Sequence, residues 1–317
     1  MLLYLPWNYQ KSRVINCKLR NNNEINEIRD WVLLQNPSKK TSTHWWQNDL
    51  PINIKNAFIK IMNSNEIINA FIDKFGTNII IDVIIDMNEV YVSSSSDIKK
   101  TSDEIFYTRH IDGPYFYIPF ASCYRTIIGM DNNIEISTIF NLAEEEYTIK
   151  KGDVIGFDFH RECHYIRKNE GKKNNDYRVV LKVHYCVYKD NLLGRFFGKI
   201  LKNLSIKYDK NFRNLFLYTL EPKTAIEKNI ANIMIVITKI YHDIEYYIGY
   251  NNISFILIVY LLSYYIQFYS IITGIISIIY LRLIESINNS SFNLILYRDC
   301  NFLAIQVFIL LLYRYVI

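Results

Sequence analysis

Cysteine is scarce in this chain of 317 residues and never closely spaced. Five are scattered as Cys17, Cys123, Cys163, Cys186 and Cys300, with no CxxC pair among them. An odd, dispersed set argues against a disulfide framework and makes a reducing compartment the default. A charge of one sign is lacking too. Thirty-six Lys and Arg face 31 Asp and Glu, a formal charge of +5 spread along the chain. That balance makes no case for nucleic-acid binding. No internal repeat is visible. The opening residues, MLLYLPWNYQKSR, hold too short an apolar run for a cleaved signal peptide, and Trp7-Asn8-Tyr9 breaks it early. The N-terminal domain is therefore expected not to be exported by such a signal.

What is present is unevenly distributed. Mean hydropathy is +0.00, yet residues 1 to about 190 read as mixed globular sequence and the last stretch is strongly apolar. Four regions follow: an α/β region supporting the core after it (1–100), a β-rich core (101–190), a basic helical juxtamembrane region (191–250) and a hydrophobic region (251–317). In the first, Asn23–Leu33 and Ile54–Ile61 have helical apolar spacing. Phe71–Val92 leans to β-branched residues, with Thr77–Asp86 the strongest strand signal. The second is dense in short β-type runs: Ile118–Phe120, Arg125–Met130, Ile134–Phe140, Val154–Phe159, His164–Ile166 and Arg178–Tyr188. Polar turns separate them, the pattern of a sandwich or jelly roll.

In the third region Leu192–Ile206 reads as a basic amphipathic helix. It fits either a solvated face packed on the domain or attachment to an anionic membrane surface. In the fourth, Ile253–Leu281 contains no charged residue. Roughly 20 apolar residues suffice to cross a bilayer, so this run is expected to insert in a membrane, with a buried core helix pair as the alternative. Phe302–Leu312 is a candidate second crossing. By the positive-inside bias, the lysines and arginines before Ile253 are expected to keep the preceding domain on the cytoplasmic side.

The chemistry concentrates in Arg109–Phe116 (RHIDGPYF). His110 and Asp112 are two apart, so on a strand their side chains share a face. The segment Gly152–Ile166 offers a third ligand, His160 or His164. The two differ by four, so on one strand both would face the same way. Two imidazoles and one carboxylate on one side of a metal leave open positions, a donor set that suits iron(II).

The HxD pair, a His some 50 residues later and a basic residue about one strand beyond resemble the 2-oxoglutarate- and iron(II)-dependent oxygenases. Prolyl hydroxylases and aspartyl/asparaginyl β-hydroxylase-like proteins are the most similar groups in general appearance. The β-hydroxylase pattern lacks the metal-binding carboxylate, so Asp112 places this chain nearer the full-triad members. The resemblance spans about residues 100–190. It implies a mainly β fold with flanking helices, a double-stranded β-helix (jelly-roll or cupin-like) catalytic domain followed by the helical, membrane-associated region. It implies His110, Asp112 and His164 as metal ligands, with iron(II) as cofactor and 2-oxoglutarate and O2 as cosubstrates. Arg178 is the implied anchor for the far carboxylate of 2-oxoglutarate, its planar fork suiting bidentate binding. The 14-residue gap from His164 is filled by the polar insertion 168–176.

His160, Tyr117, Arg125, Lys182 and His184 are further candidates for the pocket or its surroundings, with Tyr124 and Thr126 considered beside Arg125. Asp158 is read as a strand-surface carboxylate and His44 as packing. The implied reaction is hydroxylation of a C–H bond in a protein side chain or lipid-like substrate, coupled to conversion of 2-oxoglutarate to succinate. A non-catalytic cupin-like membrane protein and a different metal-dependent enzyme, such as a hydrolase using the same ligands, are the alternatives.

Overall fold

The computed structural model describes residues 14–38, 42–93, 107, 109–113, 120–132, 134–140, 145–169, 177–220 and 224–247. Tyr117 and the apolar runs 253–281 and 302–312 lie outside them. Among the described residues no helix is long and apolar enough to cross a membrane.

Among the described residues, fifteen strands and α-helices follow one another. The first half carries β1 (Ile15–Lys18), α1 (Asn23–Leu34), β2 (Thr43–Trp46), α2 (Ile52–Met62), α3 (Asn65–Phe75), β3 (Ile79–Val83) and β4 (Glu89–Val92). Then come β5 (Ala121–Gly129), β6 (Ile136–Phe140), β7 (Glu145–Tyr147), β8 (Asp153–Asp158), β9 (His164–Lys168) and β10 (Val179–Lys189). Two long helices close the series, α4 (Leu192–Leu220) and α5 (Ala225–Tyr247). A seven-stranded sheet runs β1-β8-β5-β10-β4-β2, with β3 also on β10, and a three-stranded sheet runs β7-β6-β9. Every named pairing is antiparallel.

The strand β10 organises the large sheet. It pairs with β5 along one edge and with β4 and then β3 along the other. All its residues but the last are buried, so periodicity alone does not show its two faces. Strand parity does. Val179, Leu181, Val183, Tyr185 and Val187 join one apolar cluster with Ile25, Ile28 and Val32 of α1, Phe58 of α2 and Phe71 of α3. The alternate residue Val180 joins a second cluster with Tyr91, Ile127, Phe157 and, from the small sheet, Phe140. Helices therefore back one face of the large sheet and the small sheet covers part of the other. Beyond it, Cys186 and Tyr188 pack with Leu201 of α4. The architecture is mainly β, jelly-roll-like, with flanking helices.

One expectation changes here. Phe71–Phe75 belongs to α3 rather than to a β-type run, because Ile67 and Phe71 are one helical turn apart on a single buried face. The region before residue 100 also supplies four strands of the large sheet. Short strands such as β1 and β2 carry too few residues for alternation to reveal them.

Candidate metal centre

Three potential ligand side chains converge on the inner face between the sheets. His110 and His164 form an isolated antiparallel bridge, each amide donating to the other's carbonyl at 2.9 Å. Their rings lie 4.4 Å apart between centroids. Asp112 is not on a strand, as expected from its spacing, but in a bend that follows the bridge. The bend is seated by Gly113, whose amide donates to the Phe159 carbonyl at 2.9 Å. A Cβ at Gly113 would meet the Phe159 ring at 2.5 Å and His160 Nδ1 at 2.6 Å. Only glycine permits that approach, and it brings Asp112 round to the two imidazoles.

The carboxylate of Asp112 then straddles them. Oδ1 is 3.7 Å from His110 Nε2, and Oδ2 is 3.6 Å from His164 Nε2. These separations are too long for hydrogen bonds. One ligand atom from each of His110, Asp112 and His164 can be chosen so that all lie within 4.8 Å of one another. His164 Nδ1 is 3.2 Å from the Glu162 carbonyl. A carbonyl only accepts, so Nδ1 carries the proton and Nε2 turns a lone pair toward Asp112. Burial pushes the His164 pKa down to about 4, against the opposing pull of Asp112, so the imidazole is neutral at pH 7. Burial works against the charge of Asp112 as well. Arg125 and the two imidazoles outweigh it and hold the carboxyl well below its ordinary value. A lone pair facing a carboxylate is an arrangement that a cation between them would relieve, and neutral imidazole with ionised carboxylate is the form in which these groups bind metal. The donor set fits a divalent ion.

The surroundings fix this geometry. Arg125 of β5 places Nη1 2.7 Å from Asp112 Oδ2. Its Nε–H donates to His184 Nε2 at 2.8 Å, and its guanidinium lies 4.7 Å from the Phe159 ring centroid. His184 sits opposite Arg125 in the β5–β10 register. Burial, reinforced by Arg125, keeps its pKa well below the ordinary value. Lys182, one step along the same face, is bound to Glu89 at 2.8 Å and lies 3.9 Å over the Tyr91 ring. Glu89 in turn meets His44 Nδ1 at 2.6 Å. Burial opposes its charge too, but Lys182, His44 and Arg125 hold the Glu89 carboxyl well below its usual range.

A cleft opens on the three residues, lined also by Tyr91, Arg125, Thr138, Ile166, Arg178 and Lys182. Arg178, just before β10, is half-buried and makes no ion pair among the described residues. It is thus the cation in the cleft not committed to a carboxylate there.

Other expectations come out differently. His160 does not share a strand face with His164. It lies in the turn between β8 and β9, beneath Gly113, with Nε2 2.9 Å from Ser205 Oγ of α4. Tyr124 and Thr126 alternate with Arg125 and are buried on the helical side, Thr126 donating to the Val183 carbonyl at 3.1 Å. Asp158 is no surface carboxylate. Fully buried, it pairs with Arg161 and Ser122 and accepts the His160 amide at 3.1 Å. That knot holds the turn from which His164 departs. Glu89, Gly113 and the Asp158–Arg161 pair escape sequence reasoning. Glu89 leaves one trace, a carboxylate opening the apolar strand EVYV.

No family model and no curated protein matches the chain. Three solved structures illustrate what it is similar to. A viral collagen prolyl hydroxylase from Paramecium bursaria Chlorella virus-1 shares 11% identity over 56% of this chain and 90% of its own, with a TM-score of 0.35. Iron-bound HygX from Streptomyces hygroscopicus shares 8% over 58% and 85%, TM-score 0.38. A Pseudomonas putida prolyl-4-hydroxylase shares 9% over 54% and 91%, TM-score 0.36. At these scores the likeness carries no weight of its own, and the functional reading rests on the site.

Proposed function

We propose that this chain is an iron(II)- and 2-oxoglutarate-dependent dioxygenase. It would hydroxylate a C–H bond of a protein side chain or lipid-like molecule, with O2 and 2-oxoglutarate consumed and succinate and CO2 released. The observation that carries this reading is the placement of His110, Asp112, His164 and the uncommitted Arg178 guanidinium around one cleft. His110, Asp112 and His164 would hold the metal. Bound iron(II) supplies the activation of dioxygen.

The chain's own residues do the rest. His164 offers Nε2 without first losing a proton. Arg125 orients Asp112 and is itself held by His184 and Phe159. Arg178 suits the far carboxylate of 2-oxoglutarate, whereas Lys182 is already engaged by Glu89. Tyr91, Ile127, Ile166 and Val180 give the cleft apolar walls, which limit water at the reacting centre. A zinc hydrolase could use the same three ligands, but it has no evident need for a second anionic anchor at Arg178. Succinate formation from 2-oxoglutarate by the iron-loaded protein, abolished in Asp112→Ala, tests the proposal. Iron-loaded protein that never turns over 2-oxoglutarate across a broad substrate panel contradicts it.

The proposal includes attachment to a membrane through residues 253–281, with the catalytic domain on the cytoplasmic side. It is supported by a run without charge over a length beyond the roughly 20 residues a crossing needs. Protease treatment of sealed vesicles with the cytoplasmic face outward should digest residues 14–247; protection of that region refutes the orientation.

A further inference from the structure

We propose that the outer face of α4 binds the surface of an anionic lipid bilayer. The helix is fixed to the domain along one side. Gly198 lies so close to Tyr188 that a Cβ there would meet the ring at 2.4 Å. The Cys186 thiol donates to the Gly198 carbonyl at 3.3 Å, and Ser205 meets His160 as described above. Gly194, Gly198, Leu201 and Ser205 are all buried, and at about 100° per residue they form one stripe. The rotation of the helix is therefore set by the core, and the opposite stripe faces outward.

That outward stripe runs Leu192, Phe196, Lys199, Asn203, Lys207 and Lys210, all exposed. Leu192 is 84% exposed, Phe196 58% and the adjoining Leu193 52%. Lys199, Lys207 and Lys210 have no carboxylate partner among the described residues. The only acidic residue of α4 is Asp209, and it lies about 100° round the helix from Lys210.

Large apolar side chains held out in solvent beside unpaired cations match a surface that offers acyl chains and anionic headgroups together. The stripe is also convex, and at about 1.5 Å per residue it extends roughly 27 Å. Such a shape lies along a bilayer surface more readily than in a protein groove. This inference is independent of the metal centre.

Flotation of the full chain with two kinds of vesicle tests it, phosphatidylcholine alone and phosphatidylcholine with phosphatidylserine. The uncharged run 253–281 contributes equally to both, so the difference between lipids isolates the cationic face. The expected partition onto anionic vesicles is roughly 100-fold above that onto neutral ones, from three lysines. The triple variant Lys199→Gln/Lys207→Gln/Lys210→Gln loses that preference with its melting temperature unchanged. Leu192→Ser/Phe196→Ser weakens binding to anionic vesicles roughly tenfold or more. Equal partition of the unmodified protein on both lipids overturns the proposal, and so does a preference that survives the triple substitution. A dimer in solution that Phe196→Ser abolishes also overturns it, since the face then belongs to a second copy.

Discussion

Replacing Arg125 with leucine should expose how the centre is held together. In the native chain its guanidinium meets two buried groups, Asp112 Oδ2 at 2.7 Å and His184 Nε2 at 2.8 Å. The side chains of Arg125 and Asp112 are only 14% and 8% exposed, so water cannot replace the lost cation. Removing one partner of a buried pair costs about 3–5 kcal/mol, mostly through the charge left behind. An acceptor left unsatisfied on His184 adds about 1–3 kcal/mol. Against a total stability of about 5–15 kcal/mol, Arg125→Leu should leave the domain close to unfolding when a chelator is present. Urea denaturation at pH 7 with EDTA measures this. Asp112→Asn in the Arg125→Leu background removes the stranded charge and should restore roughly 2 kcal/mol or more. A loss under about 1 kcal/mol in the single variant, or strictly additive effects in the pair, would refute the account of Arg125 as the counter-charge of Asp112.

Other outcomes follow from the same geometry. Gly113→Ala drives a methyl group into Phe159 and His160; it should cost about 1–3 kcal/mol and weaken metal binding, read by thermal melts and dialysis against cobalt(II). His164→Gln should abolish uptake of that ion whereas His160→Gln keeps it, because His160 faces Ser205 rather than the cleft; the reverse result would exchange their roles. His184 has a depressed pKa in the folded chain, so it stays neutral while its unfolded counterpart takes up a proton below about pH 6.5. The sign follows: its contribution is present above that pH and is lost as pH falls. Unfolding free energy measured from pH 7.5 to 5 should decline, and His184→Asn should flatten the decline.

Much of the site was legible in the sequence for a simple reason. Even spacing along an extended segment sets Arg178, Lys182 and His184 on one face, and the β5–β10 register puts Arg125 opposite His184. Parity also separates Tyr124 and Thr126 from Arg125, a distinction the alternation of β5 would have allowed. His110 and Asp112 were paired for a reason that does not hold. They converge through a bend seated on Gly113 rather than along a strand. What could not be read depends on contacts remote in the chain. Glu89 meets His44 and Lys182 across two strand pairings, and Asp158 turns inward because Arg161 and Ser122 wait for it. The rotation of α4 was hidden in the same way, since Gly198 and Ser205 mark the inner face only once Tyr188 and His160 are known to lie beneath them.

The most direct test of the proposed centre is calorimetric titration of the iron(II)-loaded protein with 2-oxoglutarate under anaerobic conditions. One equivalent should bind, and Arg178→Met should weaken that binding roughly 10- to 100-fold, the scale of a lost charged hydrogen-bond pair, while leaving the bound iron in place. Iron-loaded protein that takes up no 2-oxoglutarate, or binds it equally well without Arg178, would contradict the account.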